Sequence, residues 1–219
     1  MGPKVCSVCG NRLGSDEEVM CACCYRHLPI TNYADNAEDN EMTRMIWGKM
    51  PIERGVAMFF YHPHSPESNM IYNLKYRHHP EIGRFMGRMM AKECMDKGVF
   101  DGIDAIVPIP LERGRERTRG YNQSFEIAMG VSFITGIAVV NDAVSRTKYN
   151  GSQTRKNRME RAENVEGAFK LKKGDRLQGK HILLIDDIVT TGATMLSCGK
   201  EIMKAGDVKI SILALGFTK

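Results

Sequence analysis

Two adjacent carboxylates and, just beyond them, a hydroxyl-rich run make the segment of this chain best equipped for chemistry: Asp186-Asp187, Ile188-Val189, then Thr190-Thr191-Gly192-Ala193-Thr194. The preceding residues His181-Ile182-Leu183-Leu184-Ile185 predict a buried strand over 180–186. Such a strand delivers both acids to its carboxyl end, where open α/β sheets bind ligands. Paired acids at that depth are costly unless a polyhydroxyl ligand, a metal or water satisfies them. The threonine run leads into a helix predicted over 192–205, whose first N–H groups and dipole favour a phosphate, with threonine hydroxyls as further donors. Acids suited to the hydroxyls of a ribose thus stand beside a cradle for its 5′-phosphate. A plain helix cap at Thr190 and a solvated acidic turn are the bland alternative, and the fixed order of apolar, acidic, apolar and threonine-rich residues argues against it.

A second cluster lies at the other end of the chain. Five of the seven cysteines fall within residues 6–24. Cys6-x-x-Cys9 and Cys21-x-x-Cys24 are two pairs whose spacing lets four thiolates converge on one tetrahedral Zn²⁺, a closed structural site. Cys23 competes with its neighbours for the second pair, and His27 is a further donor nearby. Redox disulfides are the competing reading.

Positive charge is concentrated rather than spread. Residues 111–161 hold ten Lys/Arg against five Asp/Glu, a surplus of five that accounts for the whole net charge of +5. An anionic ligand or a nucleic acid follows. Arg113, Arg115, Arg117 and Arg119 recur at every second position. On an extended loop they would form a comb for pyrophosphate or a nucleic-acid backbone, with Tyr121 as a stacking surface. Arg119, at a predicted helix start, is the strongest of them. Arg146 and Lys148 suit direct contact at a strand end, whereas Arg155, Lys156, Arg158 and Arg161 suit a lid or a DNA track.

The elements that must position these groups alternate. Strands are predicted over 56–61, 104–109, 144–147, 180–186 and 208–215, with a further short one over 137–140; helices are predicted over 42–49, 68–77 (opened by a Ser68 cap), 81–97 (ended by Gly98), 122–133 and 192–205. This order predicts an α/β fold with a parallel sheet flanked by helices. Residues 149–161, polar and basic, predict a mobile loop. Trp47 is expected to pack the helix over 42–49 onto the main domain. The division is a four-cysteine zinc knuckle over 1–30, a linker and short helix over 31–55, and a main domain over 56–219. At 219 residues and 42% hydrophobic content, one sizeable core and one small module are what the chain can form. The longest apolar runs are too short to span a bilayer, and the first residues lack a signal-peptide apolar region, so a cytoplasmic protein is expected.

The segment 182–194 resembles, position by position, the phosphoribosyl-pyrophosphate (PRPP) signature of type I phosphoribosyltransferases. The remainder resembles the ComF family of competence-associated, phosphoribosyltransferase-like proteins. The matching pieces are the cysteine knuckle, Leu74-Lys75-Tyr76, Val107-Pro108-Ile109-Pro110, Arg117-Thr118-Arg119-Gly120-Tyr121-Asn122-Gln123, Arg146-Thr147 with Gln153 and Arg158, and Asn164-Val165-Glu166-Gly167-Ala168-Phe169. The resemblance implies a type I phosphoribosyltransferase-like sheet, PRPP bound with Mg²⁺ by Asp186, Asp187 and residues 190–194, and a pyrophosphate-side loop at Pro108, Ile109 and Pro110 joined by Arg119. It implies a catalytic loop between residues 145 and 163, with Arg146 and Lys148 beside the paired acids in catalysis. It implies a role in bacterial DNA uptake, with single-stranded DNA as partner and a competence helicase or other uptake proteins as further partners; the charge pattern offers Arg113, Arg115, Arg117, Arg155 and Arg158 as the candidate contacts. A phosphoribosyltransferase of nucleotide metabolism with an unassigned acceptor is the alternative. One departure stands out: where the family often carries an extra Lys-Arg pair, this chain has Glu112-Arg113-Gly114-Arg115-Glu116, and the glutamates dilute the positive charge.

Overall fold

The structure is a computed structural model that describes residues 4–147 and 167–218. The expected loop over 149–161, and with it Lys148, Arg155 and Arg158, lies outside the described residues.

Four strands form a wholly parallel sheet: β1 (Gly55–Phe60), β2 (Ala105–Pro108), β5 (His181–Val189) and β6 (Lys209–Phe217), in the order β1-β6-β5-β2. Every residue of β5 but Ile188 is buried, as a strand covered on both faces requires. Each Leu or Ile sealed there contributes about 1.5–3 kcal/mol. A separate antiparallel ribbon joins β3 (Val144–Arg146) to β4 (Phe169–Leu171). The expected strand over 137–140 is reduced to a single bridge, Val139 beside Ile106.

Among the described residues the longest helices are α4 (Pro80–Cys94), which gives way to a 3-10 turn ended by Gly98 at φ 67°, α6 (Gln123–Thr135) and α7 (Ala193–Met203). Met86 and Met90 of α4 are core, while Met95, past its end, is exposed. Shorter helices are α1 (Ala22–Arg26), α2 (Glu41–Trp47), α3 (Ser68–Tyr76) and α5 (Arg113–Arg119). Helix α2 starts at a capping box, with Asn40 Oδ1 accepting from Met42 and Thr43 N–H and Thr43 Oγ1 accepting from Asn40 N–H. Its residues Met42 and Ile46 enter the same core as the sheet.

Several sequence expectations change. Ser68 does not cap α3; Glu67 holds the cap position, and Ser68 Oγ instead donates to Ser65 O at 2.6 Å. Trp47 is 44% exposed, its indole N–H donating to Ile52 O at 3.2 Å, so it covers a turn rather than joining the core. The arginine comb is no extended loop. Residues 113–119 form α5, with Thr118 Oγ1 donating to Gly114 O, and helical geometry fans the odd-numbered arginines around the axis instead of along one side.

Candidate ligand cleft and cysteine cluster

Strand β5 runs on through Val189, so Asp186 and Asp187 are the sixth and seventh of its nine residues rather than part of a turn beyond it. Successive strand residues point to opposite faces, and two helices supply one partner each. Ser124, at the start of α6, donates its hydroxyl to Asp186 Oδ1 at 2.8 Å. Lys75, in the last turn of α3, places Nζ 3.0 Å from Asp187 Oδ2. Backbone N–H groups complete the acids: Asp187 N donates to Asp186 Oδ1 at 2.9 Å and Ile188 N to Asp187 Oδ1 at 2.6 Å. Lys75 apart, no donor among the described residues reaches the buried Asp187 Oδ2.

Burial, and then the charge of Asp187, push the Asp186 carboxyl up to about 7. Burial pulls against the Lys75 ammonium, but the Asp187 carboxylate outweighs it and raises Lys75 above the usual lysine range. Lys75 therefore stays charged.

Around the acids lies a cleft of about 220 Å³ whose wall includes Lys75, Arg115, Arg119, Arg146, Ile109, Pro110 and Thr194. The loop after β2 is fixed from two sides, since Ile109 N donates to Ile185 O at 2.9 Å and Asn122 Nδ2 donates to Ile109 O at 3.0 Å. Asn122 also caps α6 through Ser124 N, so one residue couples the loop to the helix that carries Ser124. Pro108 is buried as the last residue of β2. Arg119 is held by Gln123 Oε1 and stands over the Tyr76 ring at 5.6 Å. Arg146 stands over Phe169 at 5.2 Å, and burial, then the charge of Arg115, holds its pKa below the ordinary arginine value. Four cations thus ring two acids.

The run after β5 opens α7 through Gly192, which is buried at φ 74°; a Cβ there would meet Met45 Cε at 2.9 Å, so only glycine fits without displacement. Thr190 and Thr191 are exposed and Ala193 half-buried. Thr191 Oγ1 accepts from Ala193 N at 3.4 Å. Arg113 and Arg117 are exposed on α5 and do not line the cleft. Tyr121 is no stacking surface: its hydroxyl donates to Leu74 O and anchors the end of α3.

The sequence reading missed Ser124 as a site residue and saw Lys75 only as part of a matching segment. A serine two positions after an N-cap asparagine and a lysine in a helix's last turn carry no local sign that the fold brings them to one carboxylate pair.

The Sγ atoms of Cys6, Cys9, Cys21 and Cys24 all lie within 4.8 Å of one another. Cys9 and Cys21 are 3.9 Å apart, close to the roughly 3.8 Å that a tetrahedral ion with 2.3 Å bonds to sulfur imposes. Cys21 N–H lies 3.4 Å from Cys6 Sγ and Cys24 N–H 3.5 Å from Cys21 Sγ, backbone contacts of the kind that orient metal-binding sulfurs. Cys23 is outside the cluster, exposed, its Sγ 3.9 Å from His27 Nδ1, which itself lies 2.8 Å from Cys23 O. The four clustered cysteines could hold a metal ion.

Residues 74–219 match the phosphoribosyl transferase domain. The chain belongs to that family. The parallel sheet flanked by helices is accordingly of the type I phosphoribosyltransferase kind. Among curated relatives, the DNA utilization protein YhgH of Escherichia coli (strain K12) is 27% identical over 96% of this chain and 89% of its own length. Competence protein F of Haemophilus influenzae (strain ATCC 51907 / DSM 11121 / KW20 / Rd) is 26% identical over 96% and 89%. Competence protein ComFC of Bacillus subtilis (strain 168) is 32% identical over 46% of this chain and 39% of its own length. The resemblance to the ComF proteins therefore holds along nearly the whole phosphoribosyltransferase-like chain. No helix among the described residues is long and apolar enough to cross a membrane.

Proposed function

We propose that this chain binds Mg²⁺-PRPP, or a related ribose 5-phosphate, in the cleft at the end of β5, and that it serves DNA uptake by handling incoming single-stranded DNA. The observation that carries the first half is the buried acid pair ringed by Lys75, Arg115, Arg119 and Arg146. Acids buried this deep suit sugar hydroxyls and magnesium-bound waters, and among the described residues Asp187 Oδ2 has no partner but Lys75. The cations suit a pyrophosphate, whose charge magnesium would offset. Residues 190–194 and the start of α7 suit the 5′-phosphate, and Pro108, Ile109 and Pro110 with Arg119 the pyrophosphate side. Zn²⁺ is the ion that four cysteine sulfurs at these separations suit best. The DNA role is supported by the names of the relatives above and by the basic surplus over residues 111–161. A knuckle over 1–30, a joining segment over 31–55 and a ligand-binding unit over 56–219 remain the proposed division, in a cytoplasmic setting.

Calorimetry tests the cleft. Asp186→Asn with Asp187→Asn abolishes PRPP binding at unchanged circular dichroism; binding as in the wild type refutes the assignment.

One observation favours turnover as a second reading. An Asp186 carboxyl near 7 can exchange a proton at working pH, as acid–base assistance to displacement at ribose C1 requires. The buried carboxylates would also stabilise the positive charge that develops on the ring. Arg146 and Lys148 would attend the departing pyrophosphate. Release of pyrophosphate from Mg²⁺-PRPP upon adding nucleobases supports this reading, and none with any acceptor removes it.

A further inference from the structure

The exposed face of α3 carries a second feature that neither the acid pair nor the cysteine cluster uses. Tyr72 and Tyr76 are four residues apart, on one side of the helix, and are 51% and 61% exposed. Their ring centroids lie 5.1 Å apart at 46°. Each ring has a guanidinium beside it: Arg77 stands 5.8 Å from the Tyr72 centroid and Arg119 5.6 Å from that of Tyr76. The result is a ladder in the order Arg77, Tyr72, Tyr76, Arg119.

The ladder joins two hollows. At one end, Tyr72 and Arg77 line a groove of about 820 Å³ against the cysteine cluster, together with Lys4 and Asn69. At the other, Tyr76 and Arg119 line a cavity of about 640 Å³ with Arg115, and they border the acid cleft as well. Acids along this path are paired: Glu18 with Arg88 at 2.5 Å, Glu81 with His79 at 2.6 Å and, at 3.9 Å, Glu112 with Arg115. Among the described residues, neither Arg77 nor Arg119 forms an ion pair. Two large exposed aromatic rings with unpaired cations beside them are costly as bare surface and are what a strand of unpaired bases needs, since rings take base faces and arginines take phosphates.

We infer that the Tyr72–Tyr76 face of α3, flanked by Arg77 just past its end and by Arg119 of α5, is a stacking track for single-stranded nucleic acid, leading from the cysteine cluster to the acid cleft. Bases pack on the tyrosine rings and the backbone follows Arg77, Arg119 and Arg115. The inference rests on the DNA-handling half of the proposed function. Of the candidates singled out in the sequence it keeps Arg115, leaves out Arg113 and Arg117, and adds the aromatic face of a helix that carries no basic run.

The test is fluorescence anisotropy with the full chain and two labelled oligomers of about 12 nucleotides, a length one such track accommodates: oligothymidylate, and an abasic oligomer with the same phosphates. Oligothymidylate binds at least ~10-fold more tightly, and Tyr72→Ala lowers its affinity ~5-fold or more. The same variant leaves abasic binding and the salt slope unchanged, because both report phosphates. Tyr72→Phe keeps the wild-type affinity, which separates loss of a ring from loss of fold. Equal binding of the two oligomers overturns the track while sparing DNA handling, and a Tyr72→Ala protein that binds oligothymidylate as the wild type does overturns it too. Binding of neither oligomer overturns both. PRPP calorimetry on the wild type is independent: failure there removes the cleft assignment alone.

Discussion

Asp186 shows how one side chain can set a pH dependence for the whole fold. Its carboxyl rises from 3.8 to about 7, first through burial and then through Asp187. Between those values the folded chain keeps a proton that the unfolded chain has released, so stability falls as pH rises from about 4 to about 7. Asp186→Asn removes that penalty and can still accept from Ser124. The variant is expected to melt ~5 °C or more above the wild type at pH 8 and within a degree or so of it at pH 4. Thermal unfolding followed by circular dichroism reads this directly, and a variant no more stable than wild type at pH 8 contradicts it. The two acids were legible in the sequence because they are neighbours at a strand's end. Their partners were not, since Ser124 lies 62 residues from Asp186 and only the packing of α6 against the sheet brings them together.

Helix α6 can place Ser124 because it packs on α4 with almost no space between them. A Cβ on Gly87 would fall 2.2 Å from Ile127 O, and one on Gly130 would fall 2.2 Å from Arg84 O. Backbone cannot yield as a side chain does, so Gly87→Ala drives the helices apart. It is expected to cost about 3 kcal/mol or more and to weaken PRPP binding by moving Ser124. Urea denaturation beside calorimetry checks both, and a loss under about 0.5 kcal/mol would show that the helices separate freely. The same scale shows what sequence can convey. Strands β5 and β6 were legible because burial on both faces writes a continuous apolar run, and the end of the 3-10 turn that follows α4 because Gly98 marks it. Helix α5 was not, because seven polar residues with arginine at alternate positions carry no apolar period. Strand β4 has three residues, too few for a pattern, and owes its existence to pairing with β3.

At the scale of the molecule, the cysteine cluster and the acid cleft share α3. Asn69 Nδ2 donates to Val8 O at 3.1 Å and Asn73 Nδ2 to Ser7 O at 3.3 Å, so the helix is tied to the segment between Cys6 and Cys9. Two residues beyond Asn73, Lys75 holds Asp187. Cys6, Val8, Leu13, Val19 and Met20 belong to the same apolar core as the sheet, so a loosened cluster also exposes core residues. A metal at the cluster would therefore act on the cleft by fixing α3, with no contact to the ligand. Cys9→Ser with Cys24→Ser is expected to drop bound zinc from one equivalent per chain to none. Two hydrogen bonds are each worth about 1 kcal/mol net, which sets the coupling at roughly 3- to 30-fold weaker PRPP binding. Asn73→Ala, which keeps all four cysteines, should retain the zinc and reproduce part of the loss. Metal content by mass spectrometry and PRPP affinity by calorimetry, measured on the same samples, decide the matter: a zinc-free protein with wild-type affinity means that α3 holds Lys75 in place without the cluster.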